Sequence, residues 1–210
     1  MRKNKRFRLL YDEFNQAGAS FQDAERAKLW EERARKLGGD PAAGVERVRR
    51  CLGIRPNDVL ADIGAGAGVF AAAIAQHCRH VYAVDISPHM LELAKQKAKA
   101  KGIKNISFIH AGFLTLDLKN KKCDHVVAMV SLHHLPDFWK MVALRRIYHI
   151  LRDGGKLYIS DPAHSFDIDD YKNIFTRDIK EIEKKTHDAG LVEDAATTIR
   201  EEFATFDWIM

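Results

Sequence analysis

Residues 59–70 read Val-Leu-Ala-Asp-Ile-Gly-Ala-Gly-Ala-Gly-Val-Phe, and no other stretch constrains the fold as strongly. The short apolar run over 59–63 reads as a buried parallel strand. It breaks into three glycines, Gly64, Gly66 and Gly68, and then into an Ala-rich apolar helix starting near Val69. Glycines there let the backbone turn sharply and let a ligand approach main-chain N–H groups with no Cβ in the way. The helix start adds unpaired donors and a positive dipole end. The stretch therefore predicts a nucleotide-type binding turn between the first strand and first helix of a doubly wound α/β sheet.

The glycine spacing narrows the ligand. A dinucleotide fingerprint needs its third glycine three residues after the second. Counted from Gly64 that position is Val69, and the match fails; counted from Gly66 it is Ala71, a permitted variant, so a nicotinamide cofactor stays as a rival. No Gly-Lys-Ser/Thr is present to make a P-loop. The glycines alternate, and Asp62 stands two residues before the first. This Asp-x-Gly-x-Gly-x-Gly pattern resembles motif I of the class I S-adenosylmethionine-dependent methyltransferases. The resemblance implies a Rossmann-like, mostly parallel sheet of order 3-2-1-4-5. It also implies S-adenosylmethionine as cofactor and S-adenosylhomocysteine as product. Asp62 would help position the loop and the methionine amino group, with Gly64, Ala65, Gly66 and Gly68 beneath the cofactor. The competing explanation is a turn kept glycine-rich for packing alone.

A chain of 210 residues holds one α/β domain plus an appendage. No apolar run approaches a membrane span, and no signal-type apolar core follows the basic N-terminus. Cys51, Cys78 and Cys123 show no metal-like spacing and read as reduced thiols of a cytoplasmic protein. The net charge of +5 permits nucleic-acid binding without arguing for it. Much of that charge lies in residues 1–8 and 95–104, as expected for a solvated face.

Taken in order, residues 1–53 form an N-terminal helical extension. Ser20 is placed to cap a helix to about Leu37, and Asp40-Pro41 starts another whose Val45, Val48 and Leu52 share one face. Tyr11, Phe14 and Trp30 serve either to pack against the sheet or to cover an acceptor pocket, the role such extensions have in the family resembled. Residues 54–165 form the cofactor-binding core. A second strand over 81–85 ends in Asp85, 21 residues after Gly64, where a carboxylate accepts from ribose hydroxyls. Ser87-Pro88 caps the next helix. By the resemblance, Ile86 and Met90 flank the adenine.

A third strand covers 106–110. The family usually carries an acid shortly afterwards that takes the adenine amino group. Here Gly112 holds that position, so the bond is absent or supplied elsewhere. Main-chain N–H near Phe113 and the Phe113 ring remain for the adenine. The fourth strand, 124–130, should bring Met129 and Val130 to the sulfonium. Ser-Leu-His133-His134-Leu-Pro-Asp follows and resembles a stretch of many small-molecule methyltransferases. Asp137 is expected to cap a helix that Gly154-Gly155 stops before a fifth strand over 156–160.

Methyl transfer from a sulfonium is a direct displacement, so the protein supplies alignment and exclusion of water. A base is needed only if the acceptor must lose a proton. His133, His134 and His164 follow the fourth and fifth strands and are the candidates. The Asn/Asp-Pro-Pro-aromatic signature of amino-directed nucleic-acid and protein methylation is absent. Asp161, His164, Asp167 and Asp169 make no convincing metal set, and no Cys lies at a strand end as a nucleophile.

Residues 166–210 are read as a C-terminal helical segment. Thr198 is expected to open a capping box, with Ile199, Phe203, Phe206 and Met210 on one helical face. A hairpin over 191–199 and 203–209 is the alternative. If the usual sixth and seventh strands are missing, the exposed edge is covered by that helix or by a second copy in a homodimer, or the chain is shortened there. The function expected is methyl transfer to a small-molecule acceptor. The alternatives are an RNA or protein methyltransferase using the basic arm over 2–8, and a cofactor-binding module without activity.

Overall fold

The computed structural model describes residues 10–15, 29, 41–164, 166–201 and 204–205. The basic arm, Ser20, Trp30, Asp40, Phe203, Phe206 and Met210 lie outside them. Five strands, β1 (Val59–Ile63), β2 (His80–Asp85), β3 (Ile106–His110), β4 (Cys123–Met129) and β5 (Leu151–Ser160), form one parallel sheet of order 3-2-1-4-5. Every residue of β1 is buried, Asp62 included, as a central strand that is apolar at its other four positions requires. Val59, Ala61 and Ile63 enter one core with Val126, Ala128 and helix residues Ala143 and Ile147. Leu60 enters the other, against Val45, Val48, Leu52, Ala71 and Ile74. The period-2 pleat thus feeds both layers of helix from one strand.

Helix α1 (Pro41–Leu52) ends at Gly53, whose φ of 69° suits glycine and whose N–H donates to the Arg49 carbonyl at 2.9 Å. Helix α2 (Val69–Ile74) tightens into a 3-10 turn, Ala75–His77. The Asn105 amide satisfies the carbonyls this leaves, donating to Ala75 at 2.7 Å and Cys78 at 3.1 Å. Helix α3 (Pro88–Ala100) starts as read, with Ser87 Oγ accepting from Met90 N at 3.2 Å.

Three local expectations fail. Asp137 is the first residue of helix α4 (Asp137–Ile150), not its cap; Pro136 holds that place, and the Asp137 carboxylate pairs with Lys140 at 3.0 Å. Gly154-Gly155 does not stop α4 either, because β5 begins directly at Leu151. The glycines carry an irregularity within β5, between the Cys123–Leu151 and His125–Lys156 pairs. Gly154 has φ 74°, and a Cβ on Gly155 would lie 2.8 Å from the Arg152 carbonyl oxygen, so side chains are excluded there.

The third failure is at the C-terminus. After helix α5 (Tyr171–Thr186), helix α6 runs Ala189–Glu201, so Thr198 is inside it. Its hydroxyl donates back to the Asp194 carbonyl at 3.0 Å instead of opening a cap, and the hairpin alternative is excluded over 191–199. Outside the main sheet, β6 (Ala163–His164) pairs in parallel with β7 (Ala204–Thr205). No helix among the described residues is long and apolar enough to cross a membrane.

Candidate active site

The carboxyl ends of β1, β2 and β4 open into a cavity of about 390 Å³. Its floor is the glycine loop. Gly64 N and Ala65 N donate to the Val84 carbonyl at 2.8 and 2.9 Å, and Gly66 N donates to Asp85 Oδ2 at 2.7 Å. The three glycines answer two different demands. A Cβ on Gly64 would sit 2.3 Å from Ser131 Cβ, and one on Gly68 would sit 2.6 Å from Ala94 Cβ. At those two positions the need is packing within the protein. Gly66 has φ 52° and nothing within 4 Å of its would-be Cβ, and it lines the cavity. Only here does the missing side chain leave room for something other than protein.

Two carboxyl groups lie behind the loop. Asp85, 8 % exposed, receives Ser87 N on Oδ1 at 2.8 Å and Gly66 N on Oδ2 at 2.7 Å. Burial pushes its pKa up, and those two N–H bonds with the nearby His134 and His110 offset part of the rise. Asp62 is 2 % exposed, and its Oδ2 has no hydrogen-bond partner among the described residues. Burial and then the charge of Asp85 push its pKa up to about 7. A buried carboxyl oxygen without a donor, beside a glycine loop and a second carboxylate, suits a ligand that brings an ammonium and hydroxyl groups.

The opposite wall follows β4. Val130 takes φ 50°, a left-handed conformation that a β-branched residue adopts only under constraint. Its N–H donates to the Ser160 carbonyl at 2.8 Å, and its side chain lines the cavity. The turn places Ser131 and Leu132 so that their N–H groups donate to the two oxygens of Asp161 at 2.9 and 3.0 Å. Asp161 Oδ1 also lies 2.7 Å from His133 Nδ1. The Asp161 carboxylate thereby orients the ring of the buried His133. The His134 ring sits 4.1 Å from it, centroid to centroid. Beyond the histidines the wall turns apolar, with Pro162 after β5 and Ile182, Leu191, Ala195 and Ile199 from the C-terminal helices; Asp178, Asp194 and Thr198 are interspersed.

Comparison with known proteins shows what this geometry is similar to. Residues 60–155 match the family model described as methyltransferase domain. That match takes in just under half of the chain, and the sheet order 3-2-1-4-5 is the Rossmann-like fold that such domains share. The chain is 28% identical over 113 residues to a demethylmenaquinone methyltransferase of Geobacillus kaustophilus, covering 52% of this chain and 47% of that protein. It is 30% identical over 96 residues to one from Listeria welshimeri, covering 46% and 39%. It spans about half the length of the curated relatives it matches. A solved structure of a Bacillus halodurans protein superposes with TM-score 0.60 at 16% identity, over 80% of this chain and 65% of that one. An S-adenosylmethionine-dependent methyltransferase from Aquifex aeolicus gives 0.57 at 21%, over 70% and 76%.

Of the residues singled out in the sequence, the fold gathers Gly64, Gly66, Asp85, Ile86, Met90, Gly112, Phe113, Val130, His133 and His134 around the cavity. Asp62, Ala65, Gly68 and Met129 are not among its lining residues. Asp62 lies beneath the loop, and Met129 packs against the second core. The His164 side chain lies outside the described atoms. Three participants escaped the sequence reading as parts of this site: Ser131, which fixes the first glycine; Asp161, which holds His133; and Glu13, which lines the cavity from the N-terminal segment.

Proposed function

We propose that this chain binds S-adenosylmethionine over the glycine loop and transfers its methyl group to a small, mostly apolar acceptor. One observation carries the reading: a single cavity joins Gly66, Asp85 and the loop over Asp62 at one end to the apolar face of α5 and α6 at the other, with His133 between. The residues present fit the cofactor. Asp85 receives ribose hydroxyls, Asp62 answers an ammonium, and Ile86, Met90 and Phe113 border a flat ring. When bound, the cofactor supplies an electrophilic methyl group.

The chain supplies alignment and a dry acceptor wall, and His133, its ring oriented by Asp161, is the residue placed to take a proton where the acceptor must lose one. The name of the curated relatives specifies demethylmenaquinone as their acceptor, and an apolar ring system of that kind suits the wall formed by Ile182, Leu191 and Ile199. Residues 1–53 act as a cap, 54–165 as the cofactor-binding core and 166–210 as the acceptor wall.

Calorimetry with S-adenosylhomocysteine, followed by labelled S-adenosylmethionine incubated with a metabolite extract, tests this. Binding and label in an organic-soluble small molecule are expected. Label in RNA or protein with steep salt dependence would favour a macromolecular acceptor instead. Absence of binding would end the proposal.

A further inference from the structure

We infer that Glu13, from the N-terminal segment, is the residue that recognises the adenine amino group, so that docking of this segment completes the cofactor site. The inference rests on the reading that an adenosyl cofactor binds in this cavity. Glu13 is 2 % exposed, although it sits in a turn about a hundred residues from its partners. Leu114 N donates to both carboxylate oxygens, at 3.1 and 2.9 Å, and Thr115 Oγ1 donates to Oε1 at 2.7 Å. The Thr115 oxygen is itself oriented by the Gly112 N–H at 3.0 Å. Tyr11 against Trp139 and Phe14 against His110 anchor the turn on either side, with ring centroids 6.3 and 5.3 Å apart.

Gly112 shows why the carboxylate fits. A Cβ at 112 would lie 2.4 Å from Glu13 Oε2 and 2.5 Å from its Cδ. The Glu13 head therefore fills the space that a side chain at 112 would take. Loss of a side chain from the loop after β3 and arrival of a carboxylate from elsewhere are one arrangement.

The position also fixes the chemistry. A nucleoside whose sugar hydroxyls reach Asp85, at the end of β2, sets its base one strand further out, over the end of β3. The lining there is Ile86, Met90, Ala111, Gly112 and Phe113, with Glu13 as the carboxylate. A base edge entering an apolar slot loses its water and needs a partner inside. An ionised carboxylate only accepts, and it accepts about four hydrogen bonds. Leu114 N and Thr115 Oγ1, the donors among the described residues, leave capacity for an amino group. A 6-oxo purine would set its oxygen against that carboxylate and be rejected.

The rival role is a clamp that only fastens the N-terminal segment to the β3 loop. Affinities for S-adenosylhomocysteine and its 6-oxo counterpart, S-inosylhomocysteine, separate the two roles in the full chain by calorimetry. Wild type is expected to favour the amino compound by about tenfold or more. Glu13→Ala should bring the ratio close to one. Adding Gly112→Asp to Glu13→Ala should restore the preference, since the Asp carboxylate enters the emptied space once the Ile86 methyl at 2.7 Å turns aside.

Equal weakening of both ligands in Glu13→Ala, with the ratio kept, would make Glu13 a clamp and overturn the inference. Should Glu13→Ala fail to fold, Glu13→Gln decides. Its amide presents either oxygen or nitrogen, so the preference must shrink, and an unchanged preference overturns the idea. Wild type binding neither compound would instead sink the cofactor reading itself.

Discussion

Asp58 stands just before β1 and Asp62 near its carboxyl end, four residues apart, and the two ends of the sheet treat them in opposite ways. Asp58 Oδ2 accepts from Arg55 N at 2.8 Å and lies 3.0 Å from His125 Nε2. Beside it Asp124 Oδ2 accepts from Val59 N at 2.7 Å, and its Oδ1 pairs with Arg152 at 2.6 Å. Burial raises the Asp58 pKa, but the Arg55 N–H, His125 and Arg152 more than offset it and leave it below its ordinary value. At the other end Asp62 Oδ2 has no donor among the described residues, its neighbour is a second carboxylate, and its pKa rises to about 7. The amino end of the sheet neutralises its own charges. The carboxyl end keeps negative charge in reserve for a partner that is positive or rich in donors.

The pH consequences have opposite signs. A lowered carboxyl pKa contributes stability that is present above the unfolded value and is lost as pH falls through the folded one, so Asp58 weakens the fold in acid, below about pH 4. A raised one contributes nothing below the unfolded value. It then costs stability as pH climbs towards the folded pKa, so the Asp62 penalty grows from about pH 4 and is complete just above pH 7.

The largest effect is expected at the loop. Gly66→Val places a β-branched residue at φ 52° and points its methyls into the cavity. S-adenosylhomocysteine affinity should fall by about a thousandfold or more, roughly 4 kcal/mol, in a protein whose circular dichroism is unchanged. Retained affinity would show that the loop does not underlie the ligand, and the contrast between the two ends would lose its functional meaning.

Next comes the structural end. Asp58→Ala strands Arg55 N and a buried His125 together, at a cost of about 3 kcal/mol in chemical denaturation. Affinity for S-adenosylhomocysteine should stay within about twofold of wild type. A parallel loss of affinity would mean that the two ends are coupled and not divided as described.

The division also governs what the sequence disclosed. The cofactor side is local: the run into Gly64, the strand ending in Asp85, and the Ser87-Pro88 start are read from neighbours a few residues apart. Even there, spacing did not reveal that Gly64 and Gly68 are glycines because of Ser131 and Ala94, since those contacts form only on folding. The outer side is non-local. Glu13 meets Leu114 across 101 positions, and Asp161 meets His133 across 28. One clue did exist for the first: a glycine at 112 where an acid was expected left a bond to be supplied from elsewhere. Thr198 misled because a capping pattern has the same letters inside a helix, where its hydroxyl bonds the preceding turn.

Asp62→Asn sharpens the contrast through pH. Removing the buried charge should stabilise the protein without ligand by about 2 kcal/mol at pH 8 and leave it unchanged at pH 4, measured by thermal denaturation across that range. Wild-type affinity for S-adenosylhomocysteine should rise from pH 5.5 to about 7.5, because the ligand's ammonium favours the ionised carboxyl and binding releases its proton. The Asn variant should be flat over the same range. A variant that keeps the slope would place the titrating group elsewhere.

The smallest effect expected is at Val130, and it concerns strain. Among the described non-glycine residues with positive φ, Val130 alone is β-branched; the others are Lys119, Asn120 and His187. The left-handed conformation costs a side-chain-bearing residue about 1–2 kcal/mol. Val130 is 56 % exposed, so little burial offsets that cost, and its N–H bond to Ser160 is made by the main chain. Val130→Gly keeps that bond and removes the strain, while the unfolded glycine takes back about 0.5–1 kcal/mol in entropy. The net should be a stabilisation of less than about 1 kcal/mol, seen as a small rise in Tm. Turnover with a given acceptor should fall, because the side chain that borders the cavity at the end of β4 is gone. A variant that loses stability would show that the left-handed turn is held by packing of the valine methyls and is not strained. A variant with unchanged turnover would show that this conformation serves the backbone path to Asp161 and not the reacting groups.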